Sequence, residues 1–109
     1  MNIPQRFLDE ITEEAKVDEV GLWFIVGGVR DDLGIKQPAL LQIATLRCVK
    51  QILASGAVVA GYYNPDGSGI EVWNLEQEQI VSRIEEAWNQ LGRDPNIGEI
   101  VVFVGRRTG

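Results

Sequence analysis

The sequence predicts an α+β fold: a winged-helix-like core of three helices with a β-hairpin, followed by a C-terminal amphipathic helix and a closing strand. First, apolar residues recur at helical spacing in four segments of the chain. Second, a polar, glycine-rich stretch at residues 64–69 separates two short segments of β-branched and aromatic residues, which is typical of a hairpin. Third, this hairpin directly follows the third helical segment, which is the order of a recognition helix and its wing.

Length and composition indicate a single globular domain, residues 1–109. The chain is 45% hydrophobic and 24% charged, and it is long enough for one core but not for two. Its longest apolar run falls short of the roughly 20 residues that span a bilayer, and no basic segment leads into an apolar stretch after Met1. We therefore expect a cytoplasmic protein without a membrane partner. The lone Cys48 agrees with a reducing compartment.

The first helix is predicted to run from Pro4 to about Lys16. Proline suits the first turn of a helix because its missing N–H is not needed there. The apolar positions share one face of this helix, and the acidic positions lie outside that face. The apolar residues are Phe7, Leu8, Ile11 and Ala15, and the acidic residues are Asp9, Glu10, Glu13 and Glu14.

The second segment has two interpretations. As a helix, it begins after Asp18 as the N-cap and runs to Leu33, and Gly34 ends it. As a strand, residues 22–26 form a buried apolar run that ends at two glycines. The spacing of Val29 and Leu33, together with the terminal glycine, favours the helix.

The third helix is predicted from Pro38 to Ser55, where Gly56 stops it. One side of this helix is apolar and is predicted to face the core. The other side carries positive charge beside apolar residues that need a neighbouring element or a partner to cover them. The residues predicted on this outer side are Leu40, Ile43, Ala44, Arg47, Lys50 and Gln51.

The second half of the chain is predicted to form the sheet. Residues 57–63 and 70–73 have the composition of strands, and residues 64–69 have the composition of a hairpin loop. Residues 99–104 are predicted to form the closing strand of the same sheet.

A fourth helix is predicted between the hairpin and the closing strand. Asn74 is its predicted N-cap, and Gln77 completes the pattern of a capping box. Apolar residues at helical spacing continue to Leu91, and Gly92 and Pro95 end the helix.

The side chains that most enzymes use are missing. The chain has no histidine and one cysteine, which removes the usual general base, the usual nucleophile–base pairs and most transition-metal sites. We interpret the adjacent acids Asp31 and Asp32 as a solvated helix end rather than a catalytic pair. The chain is therefore predicted not to be an enzyme, to have no catalytic residues and to need no cofactor.

The hairpin loop also has features of a calcium site. Asn64, Asp66 and Ser68 match the first three ligand positions of an EF-hand loop, but the bidentate acid expected at the twelfth position is replaced by Leu75. The turn interpretation is favoured, and no metal site is predicted. Residues 27–28 match no phosphate-binding pattern, and we interpret these two glycines as allowing close helix packing or a bend.

The charge of the chain favours a basic partner. The net charge is −6, with −5 on residues 1–34, +3 on residues 35–65 and −4 on residues 66–109. A negative protein repels phosphate and attracts basic proteins. We therefore expect a basic protein partner. The residues predicted to bind it are Asp31, Asp32, Asp66, Glu71 and Trp73.

Trp73 itself has two interpretations. Next to Glu71 at the end of the hairpin, it is a candidate anchor for a basic partner. Alternatively, it packs on Trp88 of the fourth helix as part of the core.

Two other functions stay open. The third helix lies where a recognition helix would, and Arg47, Lys50 and Gln51 on its outer side suggest a winged-helix DNA-binding regulator. Three bases are fewer than the roughly six to ten phosphate contacts of a tight nucleic-acid complex, so nucleic acid ranks below a protein partner. The other possibility is a homodimeric accessory protein with Leu40 and Ile43 between two copies.

The stretch GAVVAGYYNPDGSGIEVW, with WNLEQEQIVSRIEEAWNQLGRDPNIGEIVVFV after it, resembles a family of small acidic bacterial proteins of uncharacterised function. The resemblance covers roughly residues 18–104, and its shared positions are mostly structural. Members of such families are similar to immunity proteins that are paired with bacterial toxins. The resemblance therefore implies an immunity protein that neutralises a basic toxin domain. The family usually has an acid at the position of Asn74, which bears on the strength of the helix cap.

Overall fold

In the computed structural model, which describes residues 2–106, the chain forms four helices and four strands, and the predicted α+β class is confirmed. The first helix begins one residue later than predicted, because Pro4 is its N-cap. The helices are α1 (Gln5–Val17), α2 (Leu22–Asp31), α3 (Pro38–Ala54) and α4 (Gln77–Leu91). The strands are β1 (Val20–Gly21), β2 (Val58–Tyr63), β3 (Ile70–Val72) and β4 (Val102–Gly105).

The strands form one antiparallel sheet in the order β1-β4-β2-β3. As predicted, β2 and β3 form a hairpin, and the Asn64 N–H closes its loop by donating to Gly69 O at 2.8 Å. The closing strand joins the hairpin sheet, and it lies inside the sheet between β1 and β2. The sequence did not indicate β1, which pairs through only two residues. Beyond the α+β class, the winged-helix comparison stays a prediction.

A tight turn delays the start of β4 to Val102, three residues after the predicted start at Glu99. Ile100 has a φ of 71°, a conformation that β-branched residues rarely adopt. The Val101 N–H donates to Glu99 O at 2.9 Å, which closes a three-residue turn around Ile100. Because turned backbone cannot pair in a ladder, the strand begins only after this turn.

The second helix is confirmed over the strand alternative, but its predicted bounds were wrong. Asp18 does not cap α2, because the chain first completes α1 and then forms β1. The Asp18 N–H donates to Glu14 O at 2.9 Å, and its carboxylate accepts a hydrogen bond from the Glu19 N–H. The helix therefore starts at Leu22, without a side-chain cap, and it ends at Asp31 rather than Leu33.

The cap of the fourth helix lies two residues after its predicted place at Asn74. Glu76 is the N-cap, and it forms a capping box with Gln79. The side chain of Gln77 is therefore not part of the cap, and it donates to Lys50 O at 2.9 Å. At the other end, Gly92 has a φ of 68° and ends the helix as predicted.

The third helix lies at the centre of the molecule and packs against α1, α2, α4 and β2. Its predicted inner side is confirmed, but the prediction that Ala44 faces outward was wrong, because Ala44 is fully buried. Helix α4 packs on another side of α3, where the Gln42 amide donates to Asn89 Oδ1 at 2.9 Å. Leu40 and Ile43 are exposed, as expected.

The core lies between the helices and one face of the sheet. Val20, Phe103 and Ala60 align across β1, β4 and β2, and all three are buried in this core. Because side chains alternate along a strand, their neighbours point to the opposite face of the sheet. Within residues 2–106, no helix is both long and apolar enough to cross a membrane.

Candidate functional site

A groove runs between α1 and α2, where the ring of Phe7 lies against Gly28. A Cβ added to Gly28 would lie 2.8 Å from atoms of this ring, so glycine leaves the space that the ring occupies. This contact supports a packing role for Gly28 alone. At Gly27, which also lines the groove, an added Cβ would meet only Arg30 Nη2 at 3.7 Å.

The floor of the groove is apolar and unusually exposed. Phe7 and Ile11 of α1 form the buried part, while Trp23 and Phe24 of α2 are 40% and 45% exposed. The two aromatic rings meet edge to face, with centroids 6.1 Å apart and an interplanar angle of 86°. The groove has a volume of about 560 Å³. This volume is enough for one or two large side chains of a partner.

The rim of the groove is acidic. Glu10 and Glu14 are four residues apart and therefore lie on one face of α1. Asp31 and Asp32 follow at the C-terminal end of α2, where the helix dipole adds negative potential. Arg30 is the one base among the lining residues, and its Nε lies 3.2 Å from Asp31 Oδ1. The lining side chains thus carry a net charge of −3.

An apolar floor with an acidic rim has a defined chemistry. Exposed aromatic side chains bind apolar groups, and the faces of their rings bind cations. Carboxylates on the rim pair with lysine or arginine. The groove therefore fits a segment that carries one apolar side chain flanked by basic ones. A phosphate or an acidic segment is repelled by the same rim.

The structure divides the predicted partner-binding residues between different regions. Asp31 and Asp32 lie in the groove, whereas Asp66, Glu71 and Trp73 lie on the hairpin and do not line it. Asp66 is fixed within the hairpin loop, where hydrogen bonds from Ser68 lower the pKa of its carboxyl group. Glu71 is exposed on β3, beside Tyr62 of β2.

Trp73 has a partner within the chain. It is half-buried and packs against the core, and Arg83 Cζ lies 4.2 Å from the centroid of its ring. This distance is a cation–π contact between the hairpin and α4. Trp88 is buried in the core cluster against which Trp73 packs. Trp73 is therefore already engaged by a cation, whereas Trp23 offers its exposed surface to the groove.

The predicted nucleic-acid contacts lie on the exposed strip of α3. Arg47, Lys50 and Gln51 are exposed on this helix. The hydrogen bond from Gln77 to Lys50 O brings the first turn of α4 against this end of α3. Glu76 and Glu78 flank Gln77 and are exposed, so they add negative charge beside Lys50. This arrangement weakens the attraction of the strip for phosphate.

The aromatic pair of the groove was not predicted from the sequence. A signal was present, because positions 23 and 24 lie outside the apolar face predicted for the second helix. That face consists of Leu22, Ile25, Val26, Val29 and Leu33. Two adjacent aromatic residues on the outer side of a helix are a candidate binding surface. In the prediction they belonged only to the apolar run of the strand alternative.

The remaining chemical groups of the described chain are structural. No group of three or more carboxylate, cysteine or histidine side chains within residues 2–106 has the arrangement of a metal site. In the hairpin loop, Gly67 and Gly69 have φ values of 77° and 127°, as a turn requires. Cys48 is buried, and burial raises the pKa of its thiol to about 12, which keeps it protonated and unreactive.

Comparison with known proteins gives no relative for this chain: no family model, no curated protein and no solved structure matches it significantly. The resemblance to small acidic bacterial proteins therefore stays a prediction.

Proposed function

We propose that this chain is a non-enzymatic protein-binding module that holds a basic segment of another protein in the groove between α1 and α2. The observation that carries the proposal is the exposed Trp23–Phe24 pair inside a rim of four carboxylates. Aromatic anchors surrounded by polar residues are typical of the energetic centres of protein interfaces. The groove volume of about 560 Å³ also lies within the usual range for binding pockets.

The charge of the protein supports the same partner. With a net charge of −6, the chain attracts basic proteins over distances comparable to the Debye length, and the groove rim continues this attraction at contact. Long-range attraction raises the association rate, and the aromatic floor slows dissociation. The two effects together give high affinity from a small surface.

An immunity protein is the class that we propose within this function. Toxin nucleases bind phosphate and therefore carry basic active-site surfaces, which an acidic protein blocks by occupying them. In this proposal, a basic and apolar segment of the toxin lies in the α1/α2 groove. Asp66 and Glu71 on the hairpin add negative charge to the encounter without forming the central contact.

Selection of peptides against the immobilised protein tests the groove directly. From a library of displayed helical peptides, we expect binders with net positive charge and one large apolar residue. The double substitution Glu14→Lys/Asp32→Lys should weaken their binding by at least about tenfold, because it reverses two charges of the rim. Selection of acidic peptides would contradict the proposal.

A charge-matched variant provides the control. Glu78→Lys/Glu85→Lys changes the net charge by the same amount, but on exposed positions of α4. We expect this variant to retain most of the peptide affinity and to lose only part of the association rate. Equal losses in both variants would mean that the overall field, and not the groove, determines binding.

Co-expression with the protein encoded by the neighbouring gene tests the immunity proposal separately. If that protein is a toxin, the wild-type chain should restore growth of the host, and Glu14→Lys/Asp32→Lys should not. Peptide binding without restored growth of the host would support the binding module and exclude the immunity role.

Nucleic-acid binding by α3 is the second candidate, and the exposed Arg47, Lys50 and Gln51 are the observation that favours it. An electrophoretic mobility shift at low salt compares wild type with Arg47→Glu/Lys50→Glu. We expect no shift with either protein. A shift with the wild type that the double substitution abolishes would establish the rival function.

A further inference from the structure

The second face of the sheet is apolar, although it points away from the core. Val59 and Val104 are paired across β2 and β4, and Val72 of β3 is paired with Gly61. Ile70 belongs to the same face, since it pairs with Tyr63 and would touch a Cβ on Gly61. No charged residue occupies an outward position of β2, β3 or β4 in these pairs. An antiparallel sheet with one solvated face normally carries polar residues there.

Part of this face is accessible, although Val102, which pairs with Gly61 on the same face, is buried. Val72 is 48% exposed, and Val59, Val104 and Ile70 are half-buried. The end of α1 forms one wall, where Val17 is 85% exposed, and the hairpin loop forms the other. Together they enclose a depression of about 980 Å³. Exposed aliphatic side chains on the open face of a sheet mark a candidate interaction site.

The charges around this depression identify its occupant. Lys16 and Arg106 supply two positive charges to its lining, and Asp18 and Glu19 supply two negative charges, so the lining is neutral. Lys16 also contacts Glu13 at 3.2 Å, and Glu19 accepts a hydrogen bond from the Tyr63 hydroxyl at 2.6 Å. A basic partner or a nucleic acid gains nothing from a neutral rim.

A rim with both signs of charge is complementary to itself. In a two-fold symmetric contact, the same patch of both subunits meets, and each acid can approach a base of the other copy. Elsewhere, two copies of a protein with a charge of −6 repel each other. The sheet face therefore combines exposed aliphatic side chains with a rim that does not repel a second copy.

We propose that the chain forms a two-fold dimer through this outer sheet face, with Val59, Val72 and Val104 of both copies in a shared apolar layer. Two sheets stack at a distance of about 10 Å, which side chains of this size fill. This dimer differs from the one expected from the sequence, because Leu40 and Ile43 of α3 lie outside it. It leaves the proposed function of the α1/α2 groove unchanged.

Sedimentation velocity of the full chain tests the dimer over protein concentrations of about 1 to 300 µM, because dimerisation follows mass action. We expect a concentration-dependent shift from monomer to dimer in the wild type. Val72→Asp should weaken the association by at least about tenfold, because it places an unpaired charge in the apolar layer. Circular dichroism of each variant confirms that it is folded.

Two further variants keep the test decisive. Ile43→Asp alters an apolar residue of similar exposure, 52%, on α3, and should leave the dimer intact. Val17→Lys, at a position that is 85% exposed, should weaken the dimer without loss of packing in the monomer, even if Val72→Asp does not fold. The proposal is overturned if the wild type stays monomeric throughout, or if only Ile43→Asp dissociates the dimer.

Discussion

The α1/α2 groove and the outer sheet face are both exposed apolar surfaces, but their rims differ. Four carboxylates and one base surround the groove, whereas two acids and two bases surround the depression on the sheet. Their floors differ as well, because Trp23 and Phe24 are aromatic and the sheet presents valine and isoleucine. The first combination attracts cationic side chains, and the second suits another flat aliphatic surface.

In the two proposals, this difference separates two kinds of contact on one small acidic protein. Apolar area makes both surfaces adhesive, but it does not select a partner. The surrounding charge determines which partner binds, because a rim of one sign excludes like-charged partners and a balanced rim does not. The two surfaces also involve different parts of the sheet, since Trp23 follows β1 at one edge and Val72 lies on β3 at the other.

The largest effect is expected from removal of the aromatic pair. Trp23→Ala/Phe24→Ala should weaken binding of a selected basic peptide by about 2–4 kcal/mol, as loss of an interface hot spot does. The same variant should dimerise like the wild type, because the pair lies outside the valine layer. Isothermal titration calorimetry measures the peptide affinity. Leu40→Ala/Ile43→Ala removes two apolar side chains of similar exposure and should bind the peptide normally.

The two glycines of α2 give a smaller effect with opposite signs. Gly28→Ala should destabilise the fold by about 1–2 kcal/mol, because the new methyl group displaces the ring of Phe7. Gly27→Ala should stabilise it by about 0.5–1 kcal/mol, because its added Cβ meets no backbone and alanine favours a helix. Urea denaturation measures both. Equal effects of the two substitutions would mean that the ring of Phe7 does not lie against Gly28 as described.

Added salt should weaken peptide binding in the groove by roughly 1 kcal/mol but should not weaken dimerisation. Raising NaCl from about 50 mM to about 500 mM shortens the Debye length and weakens the attraction between the acidic rim and a basic peptide. Dimerisation should keep its strength or increase, because screening reduces the repulsion between two negative copies. Calorimetry and sedimentation at both salt concentrations measure the two effects. A parallel decline would contradict the assigned roles of charge.

The smallest effect concerns the turn that leads into β4. Arg93 holds Glu99 through two hydrogen bonds of 2.7 and 2.8 Å, and the Asn96 N–H donates to the same carboxylate at 2.7 Å. These contacts lower the pKa of Glu99 from 4.5 to about 2. A lowered pKa stabilises the folded state above pH 4.5, and this stabilisation is lost as the pH falls towards 2.

Glu99→Gln should therefore lower the urea midpoint at neutral pH. The difference from wild type should shrink as the pH falls from about 4.5 to about 2 and then disappear. Urea denaturation across this range measures it. A difference that stays constant with pH would show that the carboxylate charge does not contribute, and that the amide simply fits the turn less well.

The helices were predictable because their signals are local. Apolar spacing predicted α1, α3 and α4 to within a few residues, and Gly92 ended α4 as expected. The cap at Glu76 was missed because asparagine is a preferred N-cap residue and glutamate is not. The hydrogen bond of Gln77 to α3 is a tertiary contact that the local pattern does not contain. The short β1 was missed because only its pairing with β4 makes it a strand.

The candidate site was harder to predict than the fold. Asp31 and Asp32 were identified from charge, but nothing local shows that Glu10 and Glu14 of another helix lie on the opposite rim. The partner-binding role of Trp73 stays a prediction, and its contact with Arg83, ten positions away in another element, was not predicted from the sequence. Surfaces built from two elements depend on tertiary packing, and a pattern within one segment does not contain that information.

The indole N–H signals of the three tryptophans show whether a basic partner binds in the α1/α2 groove. In a ¹H–¹⁵N spectrum titrated with a selected basic peptide, we expect a large shift of the Trp23 indole signal. The indole signals of Trp88 and Trp73 should shift little, because Trp88 is buried in the core and Arg83 lies over the ring of Trp73. A shift of Trp73 with Trp23 unchanged would place the partner on the hairpin and contradict the account.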